Sequence, residues 1–183
     1  MARVGEQPVV VVGGGISGAA CARALDRAGL PVRVLDRGHR PGGRMALREE
    51  VVDGVPRVVD IGASYFTVSD PAFAAVADGW RERGLAREWT DSFAVVDRNG
   101  GDPGASPGPM RWAASGGLRS LVEDLLQGVD VTSDREVEQV DADGDRLAVD
   151  GESASGVVLA MPQPQAIDLL PSPLADRLGL GAG

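Results

Sequence analysis

The chain has 183 residues, 43% of them hydrophobic, with 27 acidic and 18 basic side chains and a net charge of −9. That balance argues against a nucleic-acid or anionic-membrane binder, and no apolar run approaches the ~20 residues that span a bilayer. A single cysteine excludes an intrachain disulfide; with one histidine beside it, neither a Ser-His-Asp set nor a metal cluster can be argued.

In chain order, Val9–Val12 is a continuous β-branched run, the pattern of a buried parallel strand. It enters the glycine-rich turn Gly13-Gly14-Gly15-Ile16-Ser17-Gly18 and then a helix predicted from about Ile16 to Ala28. Gly18, Cys21, Leu25 and Ala28 form that helix's expected buried stripe, so Cys21 reads as a packing residue. Gly29 ends the helix and Pro31 prevents it resuming; Val32–Leu35 is a second strand, and a βαβ unit fills the first 36 residues.

Ser69-Asp70-Pro71 reads as a helix start, with Phe73, Val76, Ala77 and Trp80 on its core face and Gly84 at its end. Residues 98–109 are dense in glycine, proline and aspartate and are predicted to be a loop. A second helix follows Ser115-Gly116-Gly117, with Leu118, Leu121, Val122 and Leu125 on one face and Gly128 closing it. Short strands are expected around Val129/Val131, over Glu136–Val140 and at Leu147/Val149, with an Asp143-Gly144 turn. Val157–Ala160 reads as a buried strand, and Gln163 to Leu170 as a short helix stopped by Pro171.

Three stretches carry chemistry. The GxGxxG turn stands between a strand and a helix, and Asp36 follows 21 positions after Gly15 at the end of the next strand. Gly13 allows the tight turn, Gly15 lets a pyrophosphate approach the backbone, and Gly18 lets the helix pack close on the strand. The helix start offers unpaired N–H groups and about half a positive charge to phosphates, and Asp36 can accept from both hydroxyls of an adenosine ribose. Next, Arg37-Gly38-His39-Arg40-Pro41-Gly42-Gly43-Arg44-Met45 makes a loop whose amides and guanidinium groups can clamp further phosphate. A simple nicotinamide dehydrogenase does not need that element. His39 reads as an ordinary loop residue. Third, Gly62-Ala63 within Val59–Thr67 is a small-residue pair against which a flat ring can lie.

On these motifs the sequence resembles the FAD-dependent amine oxidoreductases, particularly their renalase-like branch. Ser115-Gly116-Gly117-Leu118 and Val158–Ala166 also fall in the family's order. The resemblance implies an α/β, FAD/NAD(P)-binding Rossmann-like fold with a central parallel sheet and a β-meander, plus part of a substrate lobe. Residues 1–64 and 115–162 would be two segments of the FAD-binding domain, 65–114 a partial cap, and 163–183 the start of an incomplete lobe. FAD would lie extended across the sheet. Gly13, Gly15, Ile16, Ser17 and Gly18 would surround its pyrophosphate and Asp36 its ribose. Arg44, with Arg40, would contact phosphate or ribityl oxygens, Arg37 and Gly43 would also belong to the cofactor-binding set, Gly62 and Ala63 would approach the flavin, and Val137 the adenine through its backbone.

The implied reaction takes hydride from an amine or a reduced nicotinamide-like small molecule to the flavin, with oxygen as acceptor. No catalytic acid or base is assigned, and such a transfer does not demand one. The N-terminus carries no apolar signal core, so the expected location is the cytoplasm. Two departures stand out. The family's late glycine-and-aspartate segment has no counterpart after Pro162, and the chain has no lysine. A shortened chain, or one completed by a partner chain or oligomer, is therefore expected. The alternative readings are an NAD(P)-dependent dehydrogenase using the same turn, or a non-catalytic dinucleotide-binding module.

Overall fold

Four consecutive valines near the start of the chain form β1 (Val9–Val12), an inner strand of a four-stranded parallel sheet. The computed structural model describes residues 7–95, 104–144 and 146–180. After β1 come α1 (Ile16–Arg27), β2 (Val32–Leu35), β3 (Leu47–Val52), β4 (Val55–Asp60) and β5 (Phe66–Thr67). There follow α2 (Pro71–Glu82), β6 (Ala86–Val95), β7 (Gly104–Ala114) and α3 (Arg119–Leu125). The chain finishes with β8 (Asp130–Thr132), β9 (Val140–Asp143), β10 (Arg146–Val149), β11 (Glu152–Ala154), β12 (Gly156–Leu159), α4 (Gln163–Asp168) and α5 (Ser172–Arg177). Contacts divide it into two units, residues 1–44 with 122–183, and residues 45–121.

The first unit holds a parallel sheet of order β12-β1-β2-β8. Alternation along the strands splits its valines. Val10, Val12 and Leu35 join Val137, Val140, Val149 and Ala154 in one buried cluster, so that face rests on the antiparallel β9-β10-β11 meander. Val11 and Val34 point the other way, towards α1, and are fully buried.

Helix α1 presents Gly18, Ala19 and Ala22 as its buried residues. Cys21 and Leu25 are half-buried, and Ala28, expected in the stripe, is the exposed C-cap beyond the last turn. The chain reverses where Gly29 adopts φ +78°, with N–H groups of Gly29 and Leu30 donating to the carbonyls of Asp26 and Leu25. Among the strands, Glu136–Gln139 is not one. The N–H groups of Glu138 and Gln139 both donate to Asp150 Oδ1 at 2.9 Å, and pairing begins only at Val140. Strand β12 is half-buried rather than buried because it lies at the sheet's edge.

In the second unit, β3 and β4 form a hairpin whose two-residue loop, Asp53-Gly54, has φ values of 53° and 76°. An Asp-Gly pair between valine runs is the residue choice that such a turn demands. A second sheet has the order β5-β7-β6. Residues 104–109, expected as loop, are the start of β7 and pair with β6, Gly104 opposite Val95 and Pro107 opposite Ser92. There β7 has β6 on one side only, so its glycines and prolines leave no ladder bond unmade on the other. Residues 98–103 of that expected loop lie outside the described residues.

Asp70 caps α2, its Oδ1 accepting from the Phe73 N–H at 2.9 Å with Pro71 in the first turn. Its apolar side meets one face of the β5-β7-β6 sheet, where Phe66, Phe73, Trp80 and Trp112 pack at 5.7–6.1 Å. Val76, expected in that core, is 41% exposed. Leu118 and Leu121 are buried, as are Val122 and Leu126; Leu125, expected on the buried face, is half-buried. Among the described residues no helix is long and apolar enough to cross a membrane.

Candidate dinucleotide-binding site

The first unit brings three separate stretches together at the end of β1. The turn begins where the Gly13 N–H donates to the Leu35 carbonyl at 2.8 Å, tying it to β2. Asp36 then reaches back across it. Oδ2 accepts from the Gly14 N–H at 2.5 Å and Oδ1 from the Gly38 N–H at 2.8 Å. The loop after Asp36 folds onto the same turn, the Gly42 N–H donating to the Gly14 carbonyl at 2.9 Å. Gly43 lies so near that a Cβ there would stand 3.3 Å from Gly15 Cα. The third stretch follows β8: the Asp36 N–H donates to the Thr132 carbonyl, and the N–H groups of Asp134 and Arg135 donate to the carbonyls of Gly38 and Asp36.

The glycines of the turn differ in what they do. A Cβ on Gly18 would sit 1.9 Å from the Gly13 carbonyl oxygen, so helix and turn can approach this closely only with glycine there. A Cβ on Gly15 would meet no protein atom within 4 Å, and its backbone, φ −75° and ψ −178°, suits any residue. Among the described residues nothing requires glycine at 15. The space beside it is open, at a helix start with no side-chain cap and no acidic residue in the first turn, where Ile16, Ser17 and Gly18 stand. A cradle of this kind suits an anion that approaches the main chain, such as a pyrophosphate.

The remaining sequence-predicted residues sort by their partners. Arg44 is exposed in the 3-10 turn Gly43–Met45 and makes no hydrogen bond or ion pair among the described residues. Arg40 is held by Glu123 at 2.5 Å, and Arg37 stands 3.9 Å from Glu136 with both side chains exposed. Val137 is buried in the core cluster, which leaves only its main chain for any ligand. His39 is an exposed loop residue with Nδ1 3.1 Å from Asp134 Oδ2. Gly62, exposed, and Ala63, half-buried, follow β4 in the second unit. The clamp that Asp36 makes on two backbone amides was missed from sequence, although Asp-x-Gly is the signature of a side chain bonding the amide two residues on.

This fold and turn define a Rossmann-like dinucleotide-binding fold, and residues 11–80 match the family model of the NAD(P)-binding Rossmann-like domain. Over 70 residues the chain is 47% identical to hydroxyneurosporene desaturase of Rubrivivax gelatinosus, a match that takes in 37% of this chain and 13% of the desaturase. Over 58 residues it is 52% identical to human flavin-containing amine oxidase B, covering 31% of this chain and 10% of that one. The matched stretch is thus a small part of either relative. Among solved structures, putrescine oxidase with putrescine bound is similar in fold, at a TM-score of 0.64 and 17% identity over 90% of this chain and 60% of that one.

Proposed function

We propose that this chain holds FAD for an oxidoreductase of the amine oxidase type. The substrate would be an amine or a reduced nicotinamide-like small molecule, and oxygen the final acceptor. The observation that carries the reading is the open, uncapped helix start beside Gly15, with a second glycine loop folded onto it. The likeness to flavin-containing amine oxidase B, 52% identical over the matched stretch, supports it. The finer assignment, to the renalase-like branch, is supported by the sequences of residues 41–45 and 60–67.

When bound, the flavin supplies the hydride acceptor. The chain's own residues bind and orient. The main chain of Gly15, Ile16, Ser17 and Gly18 would meet the pyrophosphate, and Arg44, paired with no carboxylate among the described residues, would add an exposed positive charge. Arg40 is already neutralised by Glu123 and contributes less. Asp36 spends one acceptor position of each oxygen on the protein and keeps the others for a ribose. A carboxylate fixed from both sides presents those positions in one orientation.

The purified chain's visible spectrum tests the reading. Flavin bands, with turnover of a reduced nicotinamide or an amine, are expected. Bands without turnover would make the chain a non-catalytic binding module, and a colourless protein stabilised by NAD(H) would make it a nicotinamide-dependent one.

A further inference from the structure

The β5-β7-β6 sheet has two faces, and Arg111 and Trp112, neighbours in β7, point to opposite ones. Trp112 belongs to the side that α2 covers. On the other, Arg111 joins Tyr65, Trp89 and Phe93. The three rings lie 5.8–6.4 Å apart, and the guanidinium carbon of Arg111 stands 3.9 Å from the Phe93 centroid and 5.5 Å from that of Tyr65. Tyr65 is 40% and Trp89 48% exposed, so two large rings of this cluster face outward.

The arginine is the anomaly. Its Nε and Nη1 are buried with no hydrogen-bond partner among the described residues. The chain carries nine more acidic than basic side chains, and other arginines have found carboxylates, Arg23 with Asp26, Arg40 with Glu123 and Arg135 with Asp150. Arg111 has none among the described residues. Ring faces hold its position but accept no N–H in the guanidinium plane. Shielded N–H groups with unmade in-plane bonds are costly; Arg111 as a whole is half-buried, and Nη2 is not among its shielded atoms, so an acceptor can approach the guanidinium there.

We propose that this face binds a small aromatic acid, its carboxylate meeting the guanidinium of Arg111 and its ring stacking on Tyr65 and Trp89. A carboxylate matches the planar fork of arginine. The site uses residues of the second unit alone and holds whether or not the first unit binds flavin.

The probe is benzoate, titrated into the full chain by tryptophan fluorescence and calorimetry, with benzylamine and acetate as controls. Saturable binding of benzoate is expected, about tenfold or more tighter than either control, because only benzoate satisfies both the ring and the charge. Arg111→Gln should weaken benzoate about tenfold or more, and Arg111→Lys should recover part of that loss with the charge restored but the fork absent. Equal affinity for benzylamine, no saturable benzoate binding, or unchanged affinity in Arg111→Gln would overturn the proposal. Flavin absorbance in the same samples reports the first unit separately, so a chain that binds benzoate without flavin sinks the flavin reading and leaves this one standing.

Discussion

Replacing Gly15 by valine separates ligand binding from folding. The new side chain meets no protein atom within 4 Å of its Cβ, and φ −75° with ψ −178° is extended backbone that a β-branched residue adopts readily. Valine is a poorer N-cap than glycine, but it also restricts the unfolded chain. The two effects oppose, and the ligand-free protein should stay within about 1 kcal/mol of wild type. That corresponds to a shift in Tm of about 4 °C or less at this chain length. The bound state is another matter. Valine's methyls would occupy the space a pyrophosphate needs, removing about two charge-assisted hydrogen bonds from the helix start at about 1.5–3 kcal/mol each. The loss of about 3–6 kcal/mol weakens FAD by about 10² to 10⁴-fold. The assay pairs FAD titration by flavin fluorescence with thermal unfolding of the apo chain. Gly18→Ala is the contrast: its Cβ would stand 1.9 Å from a backbone oxygen that cannot swing aside, so the apo chain itself should lose about 1–3 kcal/mol or more. Wild-type FAD affinity in Gly15→Val, or a collapse of apo stability equal to that of Gly18→Ala, would refute the reasoning.

Asp36→Ala removes the acceptor of two backbone N–H groups and should cost the apo chain about 2–4 kcal/mol, read by urea unfolding; a change under 0.5 kcal/mol would mean the clamp contributes nothing. Arg44→Ala should weaken FAD about tenfold with Tm unchanged, whereas Arg40→Ala, which breaks a half-exposed ion pair, should alter either by little; the reverse order in the titration would reassign the phosphate contact. Trp80, 2% exposed between Phe66 and Phe73, should cost about 3–5 kcal/mol when replaced by alanine, measured as lost stability of the second unit by hydrogen exchange.

What the sequence alone determined is the part of the fold written in local rules. A run of valines, a turn whose glycines are spaced for a helix start, a glycine and a proline at the helix end, and a second apolar run place β1, α1 and β2 within a residue of where they form. Asp70-Pro71 and Gly84 bound α2 for the same reason, because caps are decided by neighbours three or four residues away. Tertiary structure decided what depends on partners far along the chain. Strand β12 joins β1 across more than 140 residues, and β7 is a strand despite its prolines because β6 supplies the ladder. The fold also chose which carboxylate clamps the turn, which arginine near it has no ion pair among the described residues, and which face of the second sheet sets Arg111 against aromatic rings. Burial and pairing at those positions are properties of surfaces that exist only once the chain has come together.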